Sequence, residues 1–175
     1  MKDTDQNIDY IQEDKLIKLP DDQLTEEIIS SNIVNLSETP QWMNSFNSLV
    51  YFRSINKQNP TLMKSIIPNI IKILIKLSNS IRSNLSKESI LLVGEILKNY
   101  TFDKNLQTDY EIIKQLFNII FLHSFSNKKF IKETSTQIID NAINNNSSFF
   151  NLEIICIIIE LMKDKKNTIC DCAFI

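Results

Sequence analysis

The sequence predicts an all-α fold: an α-solenoid of stacked antiparallel helix pairs, HEAT- or armadillo-like, with about four repeats. Three observations lead there. Apolar residues recur with a period of 3.6 rather than 2 along most of the chain. Helix-start signals precede the apolar stripes. Short polar turns near residues 39, 81, 127 and 165 recur about 38–46 residues apart, close to the roughly 40–47 residues of HEAT-type pairs. A single pair cannot bury its apolar face alone, so pairs stack.

Residues 1–19 are acidic and irregular, a flexible lead or a loosely docked strip. Asp21 and Asp22 then follow Pro20 and cap a first helix over 21–36, with Leu24, Ile28 and Ile29 on its apolar side. Thr39-Pro40 starts a second helix over 40–57, because proline at the first helical position loses nothing by lacking an N–H. Its stripe is Trp42, Phe46, Leu49 and Val50, with Arg53 at the end. Asn59-Pro60 repeats the device for 60–78, striped by Ile66, Ile70, Ile73, Leu74 and Leu77. Pro68 inside that pattern predicts a kink or a restart. Ser83 caps 84–99, with Leu85, Leu92, Ile96 and Tyr100. Thr108-x-x-Glu111 reads as a capping box for 108–124, with Ile112, Leu116, Ile119, Ile120 and His123. Ile131, Ile138, Ile139 and Ala142 stripe 129–144. Two further helices are expected over 148–163 and 167–174. The run Ile154–Ile159 is β-branched, but its neighbours favour a buried helix.

Composition narrows the function classes. The chain has 175 residues, 43% apolar and 23% charged, enough for one domain with a core and too apolar for disorder throughout. Its one glycine, Gly94, leaves nothing to build a Walker loop, a Rossmann fingerprint or the tight hairpins of a β-sandwich. Its one histidine, His123, removes most histidine metal sites and Ser/His or Cys/His systems, and it reads as a half-buried structural residue. No pair of carboxylates stands in a catalytic or metal-binding arrangement. An enzyme, a cofactor and a metal site are therefore not expected. The 31 Ile and 20 Asn against two Ala reflect AT-rich codons, which lowers the functional weight of any one Asn.

Charge is split along the chain. Residues 1–27 carry three Lys and nine Asp/Glu, and the remainder is basic by 4. That excess is too small for a nucleic-acid binder but suits an acidic protein partner. The opposite signs also allow the acidic lead to fold back on a basic edge as an autoinhibitory contact. Cys156, Cys170 and Cys172 make no disulfide framework. The first twenty residues lack the apolar stretch of a signal peptide, and no apolar run is long enough to span a bilayer. The expectation is a soluble chain of a reducing, cytoplasmic compartment.

The order of the turn motifs resembles a known family. Gln41-Trp42-Met43-Asn44-Ser45-Phe46-Asn47-Ser48-Leu49-Val50-Tyr51-Phe52-Arg53 is similar to the first repeat of TOG-type HEAT domains. Ile81-Arg82-Ser83-Asn84-Leu85-Ser86-Lys87 resembles the second turn of their CLASP and crescerin (ciliary TOG-array) branch. Ser126-Asn127-Lys128-Lys129-Phe130-Ile131-x-Glu133 resembles its third turn, and Asp164-Lys165-Lys166-Asn167 its fourth. The likeness spans about residues 22–174 and four of the family's usual six repeats, making residues 20–175 a TOG-like domain. It implies a module that binds αβ-tubulin or microtubules along its intra-repeat turns, in the cytoskeleton, cilium or flagellum. It implies that Trp42 packs on tubulin, that Arg82 adds polar contacts, and that Lys128, Lys129, Lys165 and Lys166 meet its acidic face.

A second reading is a generic HEAT scaffold for another protein partner. The ending Cys172-Ala173-Phe174-Ile175 formally fits a prenylation motif, with Cys170 as a second acylation site behind Lys163, Lys165 and Lys166. That scaffold would then be tethered to a membrane.

Overall fold

The computed structural model describes residues 10–38, 41–99, 106–145 and residue 159. Among these, secondary structure is entirely helical. Six α-helices follow one another: α1 Glu26–Glu38, α2 Trp42–Gln58, α3 Pro60–Ser78, α4 Ser83–Asn99, α5 Gln107–Ser124 and α6 Lys129–Asn145. Short 3-10 turns, Glu13–Lys15 and Asp21–Gln23, precede them. The helices expected over 148–163 and 167–174 lie outside the described residues, apart from helical Ile159.

Helix starts follow local chemistry, with three departures from the sequence reading. Asn59 behaves as expected: its side chain accepts from the Leu62 N–H at 3.0 Å, with Pro60 next in line. Asp21 and Asp22 do not cap α1. They form the 3-10 turn after Pro20, and α1 begins four residues later, behind Thr25, with Glu26 and Glu27 in its first turn. There the carboxylates favour the positive end of the helix dipole. Thr108 is not a cap either, because α5 starts one residue earlier behind Leu106, without a side-chain cap. Ser83 is itself the first residue of α4. α2 starts at Trp42 behind Gln41, with Thr39 and Pro40 outside the described residues.

α3 runs unbroken through Pro68. Pro68 is exposed, so the carbonyl one turn back that loses its N–H partner can bond water instead. The neighbouring Ile66, Ile67, Ile70 and Ile71 are all buried, and that burial holds the helix across the proline.

The chain divides into two compact units, residues 1–92 and 93–175, with the boundary inside α4. In the first, α1, α2 and α3 pack on one another around Phe46, Leu49, Phe52, Ile67, Ile70 and Leu74. In the second, α5 packs on α6, burying Ile113, Leu116, Phe117, Ile120 and Ile131.

Helix pairs recur with a fixed offset. Ser78 and Ser124 end the first helix of their pairs, and Ser83 and Lys129 begin the second; Asn99 and Asn145 end it. Each couple is 46 residues apart. A small buried residue stands at the seventh position of α2, α4 and α6. Ser48 of α2, Ser89 of α4 and Ser135 of α6 are each essentially inaccessible. Ser45 Oγ donates to the Asn35 carbonyl of α1 at 3.1 Å, and Ser86 Oγ to the Ser78 carbonyl of α3 at 2.6 Å. Small side chains let helix axes approach closely, which buries more area per residue. α3–α4 and α5–α6 thus share one set of helix bounds, offset by 46 residues.

Residues 10–19 take the docked alternative for the N-terminal lead. Leu16 and Leu19 are buried. The first unit also holds a buried ion pair. Arg53 of α2 and Glu88 of α4 form an ion pair at 2.6 Å, their side chains 1% and 0% exposed. The remaining valences of the pair hold the strip: the Ile11 N–H donates to Glu88 Oε1, and Arg53 Nη1 donates to the Ile11 carbonyl, each at 2.6 Å. Described strip contacts fall on the C-terminal half of α2 and on Lys87 and Glu88 of α4.

Gly94 marks a tight approach in the second unit. A Cβ built there would meet Ile138 Cδ1 of α6 at 2.5 Å and Cγ1 at 2.7 Å. Replacing a mid-helix glycine by alanine ordinarily stabilises by about 0.8–1.0 kcal/mol; here overpacking costs about 1–3 kcal/mol. Gly94→Ala should therefore destabilise in urea denaturation, whereas in an Ile138→Ala background the same change should stabilise.

Candidate functional site

The turns between paired helices carry the sequence-predicted site residues. The turn from α3 to α4 and the turn from α5 to α6 share one hydrogen-bond pattern. Ser78 and Ser124 each donate their hydroxyl to a carbonyl three residues back, at 2.9 and 2.8 Å. The N–H groups of Ser80 and Ser126 return to Leu77 and His123. Ser80 Oγ accepts from the Arg82 N–H and Ser126 Oγ from the Lys128 N–H, both at 3.2 Å. The Arg82 and Lys128 carbonyls then accept the first α-helical bonds, from Ser86 and Lys132. A serine bonding the backbone two residues on makes a tight turn without glycine, which a chain with a single glycine needs. The device places a cation, Arg82 or Lys128, at the same position of each turn, and both are exposed.

In the first unit the structure brings Trp42 and Arg82 together. The Arg82 guanidinium lies 5.4 Å from the Trp42 ring centroid, within cation–π range. Trp42 also packs edge-on against buried Phe46, with centroids 6.3 Å apart and planes at 76°, an arrangement that aromatic quadrupoles favour. Trp42 stays half-exposed. Next to Arg82, Ile81 is 95% exposed. An oriented Trp and Arg beside a bare aliphatic side chain match the composition of interface hot spots.

In the second unit, Lys128 and Lys129 are both exposed. Lys129 stands 3.9 Å from Glu133 one turn on, both well exposed, and such a pair contributes little. Phe125, in the same turn, is 44% exposed. Lys165, Lys166, Cys170 and Cys172 lie outside the described residues. The sequence reading did not single out Ile81 or Phe125 as surface groups. Their signal is an apolar residue inside a four-residue polar turn, where no helical face exists to bury it.

His123, on the last turn of α5, is half-buried. Burial lowers its pKa below the ordinary 6.5, and the nearby Lys128 charge lowers it further. Both outweigh the helix C-terminus, which by itself favours a cation. Its Nε2 is buried and meets no hydrogen-bond partner among the described residues. The described residues contain no group of three or more His, Cys, Asp or Glu able to hold a metal. No helix among them is long and apolar enough to cross a membrane.

No known protein family, curated protein or solved structure matches this chain.

His123 gives a clean test of the turn's electrostatics, being the chain's one histidine. NMR titration should find its midpoint below 6.5, and Lys128→Gln should move it upward. The unfolded chain takes up this proton first as pH falls. The His123 contribution to stability should therefore be constant above 6.5 and decline as pH drops through 6.5 toward the folded value.

Proposed function

We propose that this chain is a helical-repeat protein-interaction module that meets an acidic protein surface along its intra-pair turns. The observation that supports it most is the repeated turn, with Arg82 and Lys128 on identical serine-braced hydrogen-bond frames. A turn used only to reverse the chain requires the brace but not an exposed cation at its end in both copies. Trp42 and Ile81 supply the apolar anchor at the first of these turns, and cations around an anchor steer and orient a partner.

The specific partner proposed is αβ-tubulin, on the resemblance of the Trp42, Arg82 and Lys128-Lys129 segments to TOG-type turns. In this reading Trp42 packs on the tubulin surface, and Arg82 holds the indole and contributes a charge. Lys128 and Lys129 attract the acidic face, with Lys165 and Lys166 continuing the series. A cytoskeletal location would follow from that partner.

The experiment is fluorescence anisotropy or co-elution with purified αβ-tubulin at two ionic strengths. The native chain should bind, and raised salt should weaken it. Trp42→Ala should cost about tenfold or more, as an interface anchor does. Lys128→Glu with Lys129→Glu should weaken binding mainly at low salt. Circular dichroism should be unchanged in each variant. Absence of binding at tens of micromolar would remove tubulin as the direct partner. Binding that neither variant affects would remove the turn edge as its site.

A further inference from the structure

We infer that α2 and the first turns of α4 form a peptide-binding groove that reads main chain, and that residues 10–19 are its tethered ligand rather than part of the core. The groove is built from Arg53, Lys57 and Gln58 of α2 and Glu88 of α4. Arg53 donates to the Ile11 carbonyl and Glu88 accepts from the Ile11 N–H. Lys57 Nζ donates to the Glu13 carbonyl at 2.7 Å. Gln58 closes a reciprocal pair with Leu19, accepting from its N–H and donating to its carbonyl, both at 2.9 Å. Tyr51 donates to the Gln23 carbonyl at 2.6 Å, at the point where the strip joins the helical body.

The bonds of Arg53, Glu88, Lys57 and Gln58 all end on backbone atoms of the strip. A helix that merely packs a neighbouring segment uses apolar contacts. A helix whose polar side chains each find a main-chain N–H or C=O is equipped to hold an extended segment, the logic of peptide-recognition grooves. The strip has the required form. Gln12, Leu16 and Pro20 have extended backbone angles, broken by one 3-10 turn at Glu13–Lys15. Selectivity comes from two anchors, the buried Leu16 and Leu19, while Ile17 between them is 78% exposed. At the N-terminal end, Tyr10 lies under Lys87, whose Nζ is 5.6 Å from the ring centroid. The ligand class is an extended segment carrying Leu-x-x-Leu with an aromatic residue six positions ahead of the first leucine.

The buried ion pair explains why the groove is kept filled. Without the strip, Arg53 and Glu88 would each lose a bond to Ile11, and buried charges with unmet valences are costly. This inference does not rest on the turn-edge reading. Arg53 lies about 16 Å along α2 from Trp42, so loss of tubulin binding leaves it untouched.

The test uses the full chain with a site-specific protease sequence inserted after Asp22, in the exposed turn that follows Pro20. The protein is folded first and then cleaved. The probe is a fluorescein-labelled peptide of residues 9–20. The labelled peptide should exchange into the cleaved protein with one-to-one stoichiometry while circular dichroism stays native. A peptide with Leu16→Ala and Leu19→Ala should compete about a hundredfold less well, as two buried leucines imply. A peptide with Ile17→Ser should compete as the native one does. Failure to exchange while the helices stay folded would overturn the groove. So would unfolding of α1–α3 on release of the strip, which would make residues 10–19 a core element.

Discussion

Two opposite charges buried 2.6 Å apart between α2 and α4 impose the condition that the rest of the first unit satisfies. A guanidinium and a carboxylate removed from water stay favourable only if their remaining donors and acceptors are also met. The Ile11 N–H and C=O meet one on each partner. A strip near the start of the chain is thereby fixed to the two helices, and further along it Leu16 and Leu19 are buried. The same pairing ties α2 to α4. At the start of α2, Trp42 meets Arg82 of the turn that leads into α4, a second and exposed contact. One polar clamp is dry and structural in consequence; the other stays at the surface, where a partner can reach it.

Helix spacing is governed by size rather than by charge. Ser48, Ser89 and Ser135 occupy matching buried positions in three successive pairs. Ser89 and Ser135 hydroxyls meet no hydrogen-bond partner among the described residues, so their role there is smallness. Gly94 takes this further, with Ile138 occupying the space its Cβ would need. The serine braces at residues 80 and 126 do for the turns what glycine does in other chains.

The helical fold was legible because the apolar stripes are long and regular. Leu49, Leu74, Leu92, Leu116 and Ile131 all fall on stripes and are all buried. The starts of helices were harder to read. Thr108 and Asp21 have capping chemistry, but α5 starts ahead of Thr108 and Asp21 lies in a 3-10 turn ahead of α1, so neither stands at a helix start. Among site residues, Trp42 and Arg82 were singled out separately, and their contact depends on tertiary packing that no local pattern carries. Arg53 and Glu88 were not recognised as partners. Each stands in register with an apolar stripe, Arg53 beyond Phe46 and Leu49, Glu88 between Leu85 and Leu92. Two opposite charges on apolar faces were the available sign. The capture of Ile11 was illegible, because main-chain recognition leaves no mark on the residue recognised.

The most direct measurement is a double-mutant cycle on the buried pair, with Arg53→Met, Glu88→Leu and both together. Unfolding in urea is followed by the fluorescence of Trp42, the chain's single tryptophan, which reports on the first unit. Each single change should destabilise by about 3–5 kcal/mol, because it leaves one buried charge uncompensated. The double variant strands no charge, so it should be more stable than the sum of the singles predicts by about 3 kcal/mol or more. Singles that each cost under about 1 kcal/mol and simply add would contradict a structure organised around this pair.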